Sequence, residues 1–379
     1  MKIALLQAQS ITMNVDICGG LERVELAQME TLAKRGHRVK LYVSRLVGAK
    51  PGVKKITALF VPNYRQRLLY YLAVLSGFFY YLNYLLRTVR ADILHGHYTP
   101  LLPLLAPDRC LVHFHGLGIY ELLWYARFKK RYHRGHYVFC AEHIKNDFEE
   151  IYPGIPKTQL HVVYNGIDTE MFRPGVKKER KRIKRLIFYA GWIPTKGIYD
   201  VLEMARLLEK KRSDIEIYYG GSAYGHYKGF TWGDPDEINA KVRKLAENLT
   251  TVKFIGPIVY GDLPGVLRDA DIGLVPSTNP DPFPLVPLEM MASGLPVVAY
   301  ANGGLKESIV DGQTGYLVQT ERPDLLAEAV ERLLDDDGLR WKMGETACRL
   351  VQERYTWERH CLQLEGIYEG IVGRGKGSK

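Results

Sequence analysis

The chain has 379 residues, of which 46% are hydrophobic and 25% charged, as in ordinary globular proteins that bury a substantial core. This length favours two or three domains. The five cysteines show no C-x-x-C spacing, which argues against a disulfide framework or a structural zinc and is typical of a reducing cytoplasm.

The net charge of +10 is unevenly distributed along the chain. Residues 1–186 hold 30 Lys/Arg against 14 Asp/Glu, a balance of +16, and the remainder hold 22 against 28, a balance of −6. This asymmetry indicates an anionic partner for the first half, although a solvated basic run at 177–185 explains part of it. The N-terminus lacks the long apolar region and cleavage site of a signal peptide, so we expect a cytoplasmic protein.

The first half alternates short apolar strands with helices. "KIALLQ" predicts a buried strand, and the apolar positions of residues 19–37 follow a helical rhythm that Gly36 ends. Further strands are predicted at "RVKLYVS", "ADILHGH", "CLVHFHG", "YVFCAE" and "LHVVYNG". Such alternation predicts a parallel, doubly wound sheet.

The pattern stops at the proline and basic run 174–185 and then begins again at "RLIFYAG". Strands "IEIYYGG", "TVKFIG", "DIGLVPS", "PVVAY" and "GYLVQ" follow, separated by helical segments. We therefore expect an α/β protein of two Rossmann-like domains. These are residues 1–173, completed by a C-terminal helix at 355–379, and residues 186–354, joined by the basic linker 174–185.

Two loops occupy the place where open α/β sheets bind ligands, after a strand and before a helix. In "DICGGLER", Gly19 and Gly20 would let main-chain N–H groups approach a phosphate or a sugar, or they form a simple tight turn. The G-x-G-x-x-G spacing of dinucleotide folds is absent. In "AGWIPTKG", Lys196 is either a cation for a phosphate or a surface lysine.

Asp281 and Glu289 flank three prolines in "DPFPLVPLE". Proline interrupts a helix interior but is favoured in the first turn, so we expect a loop and then a helix that starts near Pro287–Leu288. Glu289 would lie in the first turn, where it could merely complement the helix dipole. The main-chain N–H groups of residues 284–288 would face a ligand.

Three further motifs are ambiguous. The acids of "DAD" at 269–271 resemble a metal-holding pair but join a helix to a strand, which favours a structural role. His115 in "VHFHG" follows a buried strand and fits either a site or a core. His95 and His97 resemble a metal pair, but no carboxylate or cysteine cluster accompanies them, so we expect no metal there.

Residues 68–86 are uncharged over 19 positions. Their five tyrosines suit lipid poorly, so we expect a largely buried helix with an aromatic interfacial face. Arg65, Arg67 and the aromatic and basic stretch 124–137 fit peripheral attachment to anionic lipid. No recognition motif supports nucleic-acid binding.

Several of these motifs together resemble the GT4 family of retaining glycosyltransferases, which have the GT-B fold. They occur in order along almost the whole chain, at 19–22, 113–116, 164–172, 191–197, 282–299 and 303–318. The resemblance implies two domains that face a central cleft, the first binding the acceptor and the second a nucleotide-sugar, with the last helix returning to the first domain.

The resemblance also implies roles for individual residues. His115, Lys196, Asp281 and Glu289 would be catalytic: Lys196 stabilises the leaving diphosphate, Asp281 holds the transferred sugar and Glu289 the ribose hydroxyls. The other donor-binding residues would be Gly20, Trp192, Phe283, Pro284, Leu285 and Val286, and the acceptor would contact Gly19, His97 and His115. No dedicated metal or other cofactor is implied.

Three residues depart from the family pattern: Asp281 replaces a glutamate, Pro284 a glycine and Trp192 an arginine. The expected function is hexose transfer from a nucleotide-diphosphate sugar to a lipid-linked or glycan acceptor at the cytoplasmic membrane face. A small soluble acceptor and a degenerate, non-catalytic scaffold remain the alternatives.

Overall fold

The computed structural model of the chain shows two compact units. The first unit comprises Met1–Gly166 and Trp357–Lys379, and the second comprises Ile167–Thr356. The residues that the structure describes are 1–7, 12–14, 19–55, 79–99, 101–117, 133–175, 183–223 and 234–377. Most of the expected linker, residues 176–182, lies outside them.

The first unit is built on a parallel sheet of seven strands, in the order β5-β3-β1-β6-β7-β8-β9. Two further strands, β2 and β4, pair with each other. The strands of this unit are β1 Lys2–Leu6, β2 Thr12–Asn14, β3 Arg38–Val43, β4 Arg45–Val47, β5 Val53–Lys55, β6 Ile93–His97, β7 Cys110–Phe114, β8 His136–Phe139 and β9 Leu160–Val162.

Helices cover this sheet because their apolar positions recur on one face. In α1 (Gly20–Lys34), Val24, Met29 and Leu32 are buried. The other helices described here are α2, helical over the described residues 79–87, α3 Leu102–Leu105, α4 Glu142–Ile151 and the C-terminal helix Trp357–Gly377, which we number α12.

The second unit contains a parallel sheet of six strands in the order β12-β11-β10-β13-β14-β15. Its strands are β10 Lys184–Tyr189, β11 Ile215–Gly220, β12 Val252–Gly256, β13 Ile272–Val275, β14 Val297–Tyr300 and β15 Gly315–Val318. Its helices are α5 Ile198–Glu209, α6 Pro235–Ala246, α7 Leu263–Asp269, α8 Leu285–Ala292, α9 Leu305–Ser308, α10 Pro323–Asp335 and α11 Asp337–Arg354. The predicted fold class, two parallel doubly wound α/β units, is confirmed.

The chain enters and leaves the second unit at one place. Ile167 donates its N–H to the carbonyl of Tyr355 (2.8 Å) and forms an isolated parallel bridge with Thr356. Immediately afterwards α12 returns to the first unit, where Cys361, Leu364 and other side chains join the core formed by β1, β3 and α1.

Only the end of the apolar stretch 68–86 lies within the described residues. There α2 buries Tyr80 and Tyr84, and the Tyr84 hydroxyl donates to the carbonyl of Ala4 (2.7 Å). Phe79, Leu82 and Leu86 of the same helix are exposed, so the expectation of a largely buried helix holds only in part over the described residues 79–86. Residues 68–78, with Arg65, Arg67 and most of the stretch 124–137, lie outside the described part. None of the described helices is both long and apolar enough for a membrane crossing.

Candidate functional site

Two of the predicted donor residues, Lys196 and Asp281, follow the carboxyl ends of central strands of the second sheet. Strands β10 and β13 are neighbours, yet the chain continues from β10 toward one side of the sheet and from β13 toward the other. Lys196 follows the carboxyl end of β10 and Asp281 that of β13. Ligands of open α/β sheets bind at such a switch point.

Lys196 and Asp281 form an ion pair. The lysine Nζ donates to both carboxylate oxygens, at 2.8 and 2.7 Å, and the Ser277 hydroxyl donates to the same carboxylate at 3.1 Å. Gly197 ends the loop between β10 and α5 and has a positive φ of 74°. A Cβ at this position would lie 2.0 Å from the Pro276 carbonyl oxygen. The structure thus brings together two of the four expected catalytic residues.

The backbone around Asp281 is held by two glycines that sequence reasoning left without a role. The N–H of Gly304 donates to the Asp281 carbonyl (2.8 Å). A Cβ on Gly303 would lie 2.5 Å from that same oxygen, and one on Gly304 would lie 2.1 Å from the Pro282 oxygen. The signal was the Gly-Gly pair that opens the family-like stretch 303–318, because glycine permits this close approach of two chain segments.

Helix α8 begins earlier than expected. Its first residue is Leu285, with Pro284 as the N-cap at φ −69° and ψ 143°, so Glu289 lies in the second turn and the expectation of a first-turn position was wrong. Proline is tolerated at the cap and in the first turn because those positions need no intrahelical N–H bond. Since Pro284 and Pro287 have no N–H, the helix N-terminus offers only the N–H groups of Leu285 and Val286.

Glu289 and Phe283 are both buried. The hydroxyl of Tyr189, at the end of β10, donates to Glu289 Oε2 at 2.5 Å. The Phe283 ring packs against Tyr355, with 5.5 Å between ring centroids. Phe283 therefore anchors the loop through its side chain, and only its main chain suits the expected contact with a donor.

Trp192 is part of the core of the second unit. Only 5% of the residue is exposed, its indole N–H donates to the Gly220 carbonyl (3.1 Å), and its ring packs edge-on against Tyr219. This placement leaves the Trp192 side chain with a structural role rather than the expected contact with the donor. The aromatic neighbours that enclose it are distant in sequence, so the motif alone did not indicate this.

The "DAD" motif has the structural role that we expected. Asp269 forms an ion pair with Arg185, and Asp271 accepts a hydrogen bond from the Arg185 main-chain N–H (2.8 Å). The two acids thus fix the start of β10.

In the first unit, the predicted residues lie on α1 and at the ends of β6 and β7. Gly19 caps α1 and Gly20 is its first residue; both are exposed, and a Cβ on Gly20 would meet nothing within 4 Å. His97 is fully buried, whereas His115 is partly exposed. Nδ1 of His97 lies 2.8 Å from Nε2 of His115, a hydrogen bond that brings these two expected acceptor residues together.

A layer of buried histidines surrounds this pair. Burial lowers the pKa of His95, His97 and His113 well below its usual value, and lowers that of His115 to about 3 and of His360 to about 4. These imidazoles are therefore neutral at neutral pH. Sequence reasoning did not single out His113 or His360, although "VHFH" already placed one histidine two residues from His115.

Three of these histidines lie close enough to be considered as metal ligands. One ring nitrogen of each of His95, His97 and His113 lies within 4.8 Å of the others. Their rings, however, are inclined to one another by only 19 to 24°. Because an imidazole nitrogen binds a metal in the plane of its ring, stacked rings do not direct three lone pairs to one point. We therefore interpret the group as a stack, and the expectation of no dedicated metal stays a prediction.

Two family descriptions match the chain. "Glycosyl transferases group 1" matches residues 169–349 and "Glycosyltransferase Family 4" matches residues 18–171. Among curated proteins, a D-inositol 3-phosphate glycosyltransferase of Corynebacterium aurimucosum is 34% identical over 59% of this chain and 53% of its own length. An alpha-maltose-1-phosphate synthase of Mycobacterium tuberculosis is 29% identical over 62% of this chain and 62% of its own length. The chain spans about half the length of the first of these relatives.

Solved structures share the fold at low sequence identity. Sucrose-phosphate synthase from Thermosynechococcus elongatus has a TM-score of 0.78 at 19% identity, over 99% of this chain and 100% of that one. The Anabaena protein HepE, in complex with UDP-glucose, has a TM-score of 0.72 at 16% identity, over 98% and 100% of the two chains. This likeness shows the GT-B fold. The two family matches, which together span residues 18–349, show that the chain belongs to the GT4-type glycosyltransferases.

Proposed function

We propose that the protein is a retaining glycosyltransferase that moves a hexose from a nucleotide-diphosphate sugar to a lipid-linked or glycan acceptor at the cytoplasmic membrane face. The observation that carries this proposal is the Lys196–Asp281 ion pair beside the N-terminus of α8. A cation and a helix N-terminus are the groups that stabilise a diphosphate. The UDP-glucose complex of the Anabaena relative supports the class of donor.

The ion pair suggests how the donor is taken up. A diphosphate competes with Asp281 for Lys196, and its arrival releases the Asp281 carboxylate to accept hydrogen bonds from the sugar hydroxyls. The N–H groups of Leu285 and Val286 bind a phosphate oxygen, and Glu289 binds the ribose hydroxyls. Each group then contributes either to leaving-group stabilisation or to orientation of the sugar.

The test is donor binding and turnover by the full chain. We expect a UDP-, GDP- or ADP-sugar to raise the melting temperature, and Lys196→Ala to lower kcat about 30- to 1,000-fold, as for the loss of about 2–4 kcal/mol of leaving-group stabilisation. Lys342→Ala, an exposed lysine on α11, is the matched control. Retention requires that the anomeric configuration of the donor reappear in the product. No shift with any donor would favour a non-catalytic scaffold.

The membrane part of the proposal is supported by an apolar stripe on and beyond α2. Exposed apolar side chains recur at three- and four-residue spacing among exposed arginines, in the set Phe79, Leu82, Leu86, Arg87, Val89 and Arg90. Leu86 and Val89 are 69% and 65% exposed. Apolar side chains beside cationic ones suit the interface of an anionic bilayer.

Flotation with anionic vesicles tests this surface. Wild-type protein should float with the vesicles and Leu86→Glu should float much less. Leu362→Glu, at an exposed leucine on α12, should behave as wild type. Equal flotation of the Leu86 and Leu362 variants would contradict membrane contact through α2.

A small soluble acceptor is the second candidate. It is favoured by the names of the relatives, a D-inositol 3-phosphate glycosyltransferase and an alpha-maltose-1-phosphate synthase. Product formation with inositol 3-phosphate in the absence of any lipid, by a protein that does not float with vesicles, would establish this alternative over the lipid-linked acceptor.

A further inference from the structure

A chain of buried hydrogen bonds in the first unit leads from the main chain of Tyr164 toward the histidine layer. Nδ1 of His360 lies 2.7 Å from the Tyr164 carbonyl oxygen. Nε2 of His360 lies 2.8 Å from the Gln28 amide nitrogen, which also lies 3.3 Å from Nδ1 of His113. The three side chains in this series, those of His360, Gln28 and His113, come from α12, α1 and β7, and all three are buried.

The chemistry of each partner fixes where the hydrogens lie. A carbonyl only accepts, so His360 carries its hydrogen on Nδ1 and its Nε2 accepts from the Gln28 amide. The opposite amide orientation would require a doubly protonated His360, which burial disfavours. The second N–H of Gln28 therefore donates to Nδ1 of His113, and His113 carries its hydrogen on Nε2.

The same reasoning applies to His95. Its Nδ1 lies 2.6 Å from the buried hydroxyl of Tyr368. This hydroxyl has no other partner among the described residues. Either direction of this bond leaves one buried donor unpaired, but a phenol O–H is a stronger donor than an imidazole N–H and an imidazole nitrogen is a stronger acceptor than a phenol oxygen, so the O–H donates to Nδ1. His95, like His113, then carries its hydrogen on Nε2.

These assignments decide the state of His97, which stacks on both rings with centroid distances of 4.7 and 5.4 Å. In the described part of the chain, the buried Nε2 atoms of His95, His97 and His113 have no hydrogen-bond partner. A hydrogen on Nε2 of His97 would add a third unpaired donor to this layer. A bare Nε2 leaves only an unpaired acceptor there, and unpaired buried acceptors are tolerated better than unpaired buried N–H donors, so the hydrogen of His97 lies on Nδ1.

We propose that His97 is a positioning residue which donates its Nδ1–H to Nε2 of His115 and so fixes the His115 hydrogen on Nδ1. His115 then offers an N–H donor to a hydroxyl or phosphate oxygen of a substrate and does not act as a general base. Nδ1 of His115 has no partner among the described residues. The catalytic consequence rests on the proposed function; the tautomer itself does not.

The tautomer can be measured without a substrate. In full-length protein with ¹⁵N-labelled histidine, long-range ¹H–¹⁵N correlation spectra at neutral pH distinguish a protonated ring nitrogen from a bare one. The signals of His115 are identified by their loss in His115→Gln. We expect Nδ1 of His115 to be protonated and Nε2 bare; a bare Nδ1 would overturn the proposal.

Two substitutions at position 97 separate hydrogen bonding from packing. His97→Asn places an amide N–H near the former Nδ1 and should preserve the His115 tautomer, whereas His97→Phe keeps a ring but no donor and should give mixed tautomers. If transfer activity is found, His97→Phe should lower kcat about 2- to 12-fold, the range of one neutral hydrogen bond. An unchanged His115 spectrum in folded His97→Phe would refute the role of His97.

These outcomes are independent of the donor experiment. If no sugar donor binds but His115 shows the expected tautomer, the proposed function fails and the assignment of His97 stands. Should His97→Phe not fold, the wild-type and His97→Asn spectra still decide the matter.

Discussion

Replacement of Gly304 by alanine would insert a methyl group into a backbone contact of the second unit. The added Cβ would lie 2.1 Å from the Pro282 carbonyl oxygen and 3.0 Å from Phe283 Cα. Gly304 itself has φ −67° and ψ −9°, which alanine adopts readily. The perturbation is therefore steric, without a change in preferred backbone geometry.

The magnitude follows from the distance that must be gained. Real Cβ atoms essentially never approach a heavy atom closer than 3.0 Å, so the 281–283 segment must move by at least about 0.9 Å, the difference from 2.1 Å. Overpacking of this kind costs about 1–3 kcal/mol. The entropic gain of alanine over glycine, about 0.4–1 kcal/mol, is smaller. At mid-range the net cost is about 1.3 kcal/mol, so for a unit of this size we expect the melting temperature to fall by about 3–5 °C.

Differential scanning calorimetry of the full chain, with and without a bound donor, is the assay. The same displacement shifts Asp281, to which the proposed function assigns the sugar hydroxyls, so donor affinity should fall together with stability. Gly261→Ala is the matched control, because a Cβ there meets nothing within 4 Å. A melting temperature of Gly304→Ala equal to that of the control would refute the close contact on which the reasoning depends.

Three further predictions follow from the two units. Glu289→Gln should weaken donor binding about 5- to 30-fold, measured by calorimetry, because a charge-assisted hydrogen bond becomes a neutral one. It should leave the pH–rate profile unchanged, and loss of a limb of that profile would instead indicate acid/base chemistry. Trp192→Phe, which removes an indole N–H bonded to a main-chain carbonyl, should destabilise the protein by about 1–3 kcal/mol in urea titration and leave donor affinity within twofold. Burial lowers the pKa of His360 to about 4, below the unfolded value near 6.5. The contribution of His360 to the free energy of unfolding is therefore full above pH 6.5 and is lost as the pH falls toward 4. His360→Asn should flatten the dependence of the urea midpoint on pH, whereas His133→Asn, at an exposed histidine, should not.

The fold followed from local patterns. Short apolar runs ended by glycine or polar residues, with helical periodicity between them, predicted parallel strands because each strand of such a sheet is buried on both faces. The start of α8 was placed two to three residues late because Pro287 was expected at the start of the helix, whereas it is the third helical residue and Pro284 is the N-cap.

Site residues could be predicted from the sequence where they belong to a local motif. Contacts between residues that are distant in sequence could not be predicted. Lys196 and Asp281 were each singled out, but their pairing spans 85 residues and depends on the order of strands in the sheet. Gln28 and His360 are 332 residues apart, so no local pattern could indicate their hydrogen bond. Trp192 was assigned by its place in a motif, whereas the packing of Tyr219 around it determines its burial.

The return of α12 to the first unit has a consequence for biosynthesis. Cys361, Leu364, Tyr368 and Ile371 belong to the core of a unit whose other members are made before residue 167. During translation, α12 cannot cover the apolar face of the first sheet until the entire second unit has been made. The second unit is continuous in sequence and can fold as soon as it emerges from the ribosome. Chaperone contacts during synthesis should therefore concentrate on the segment that is made first.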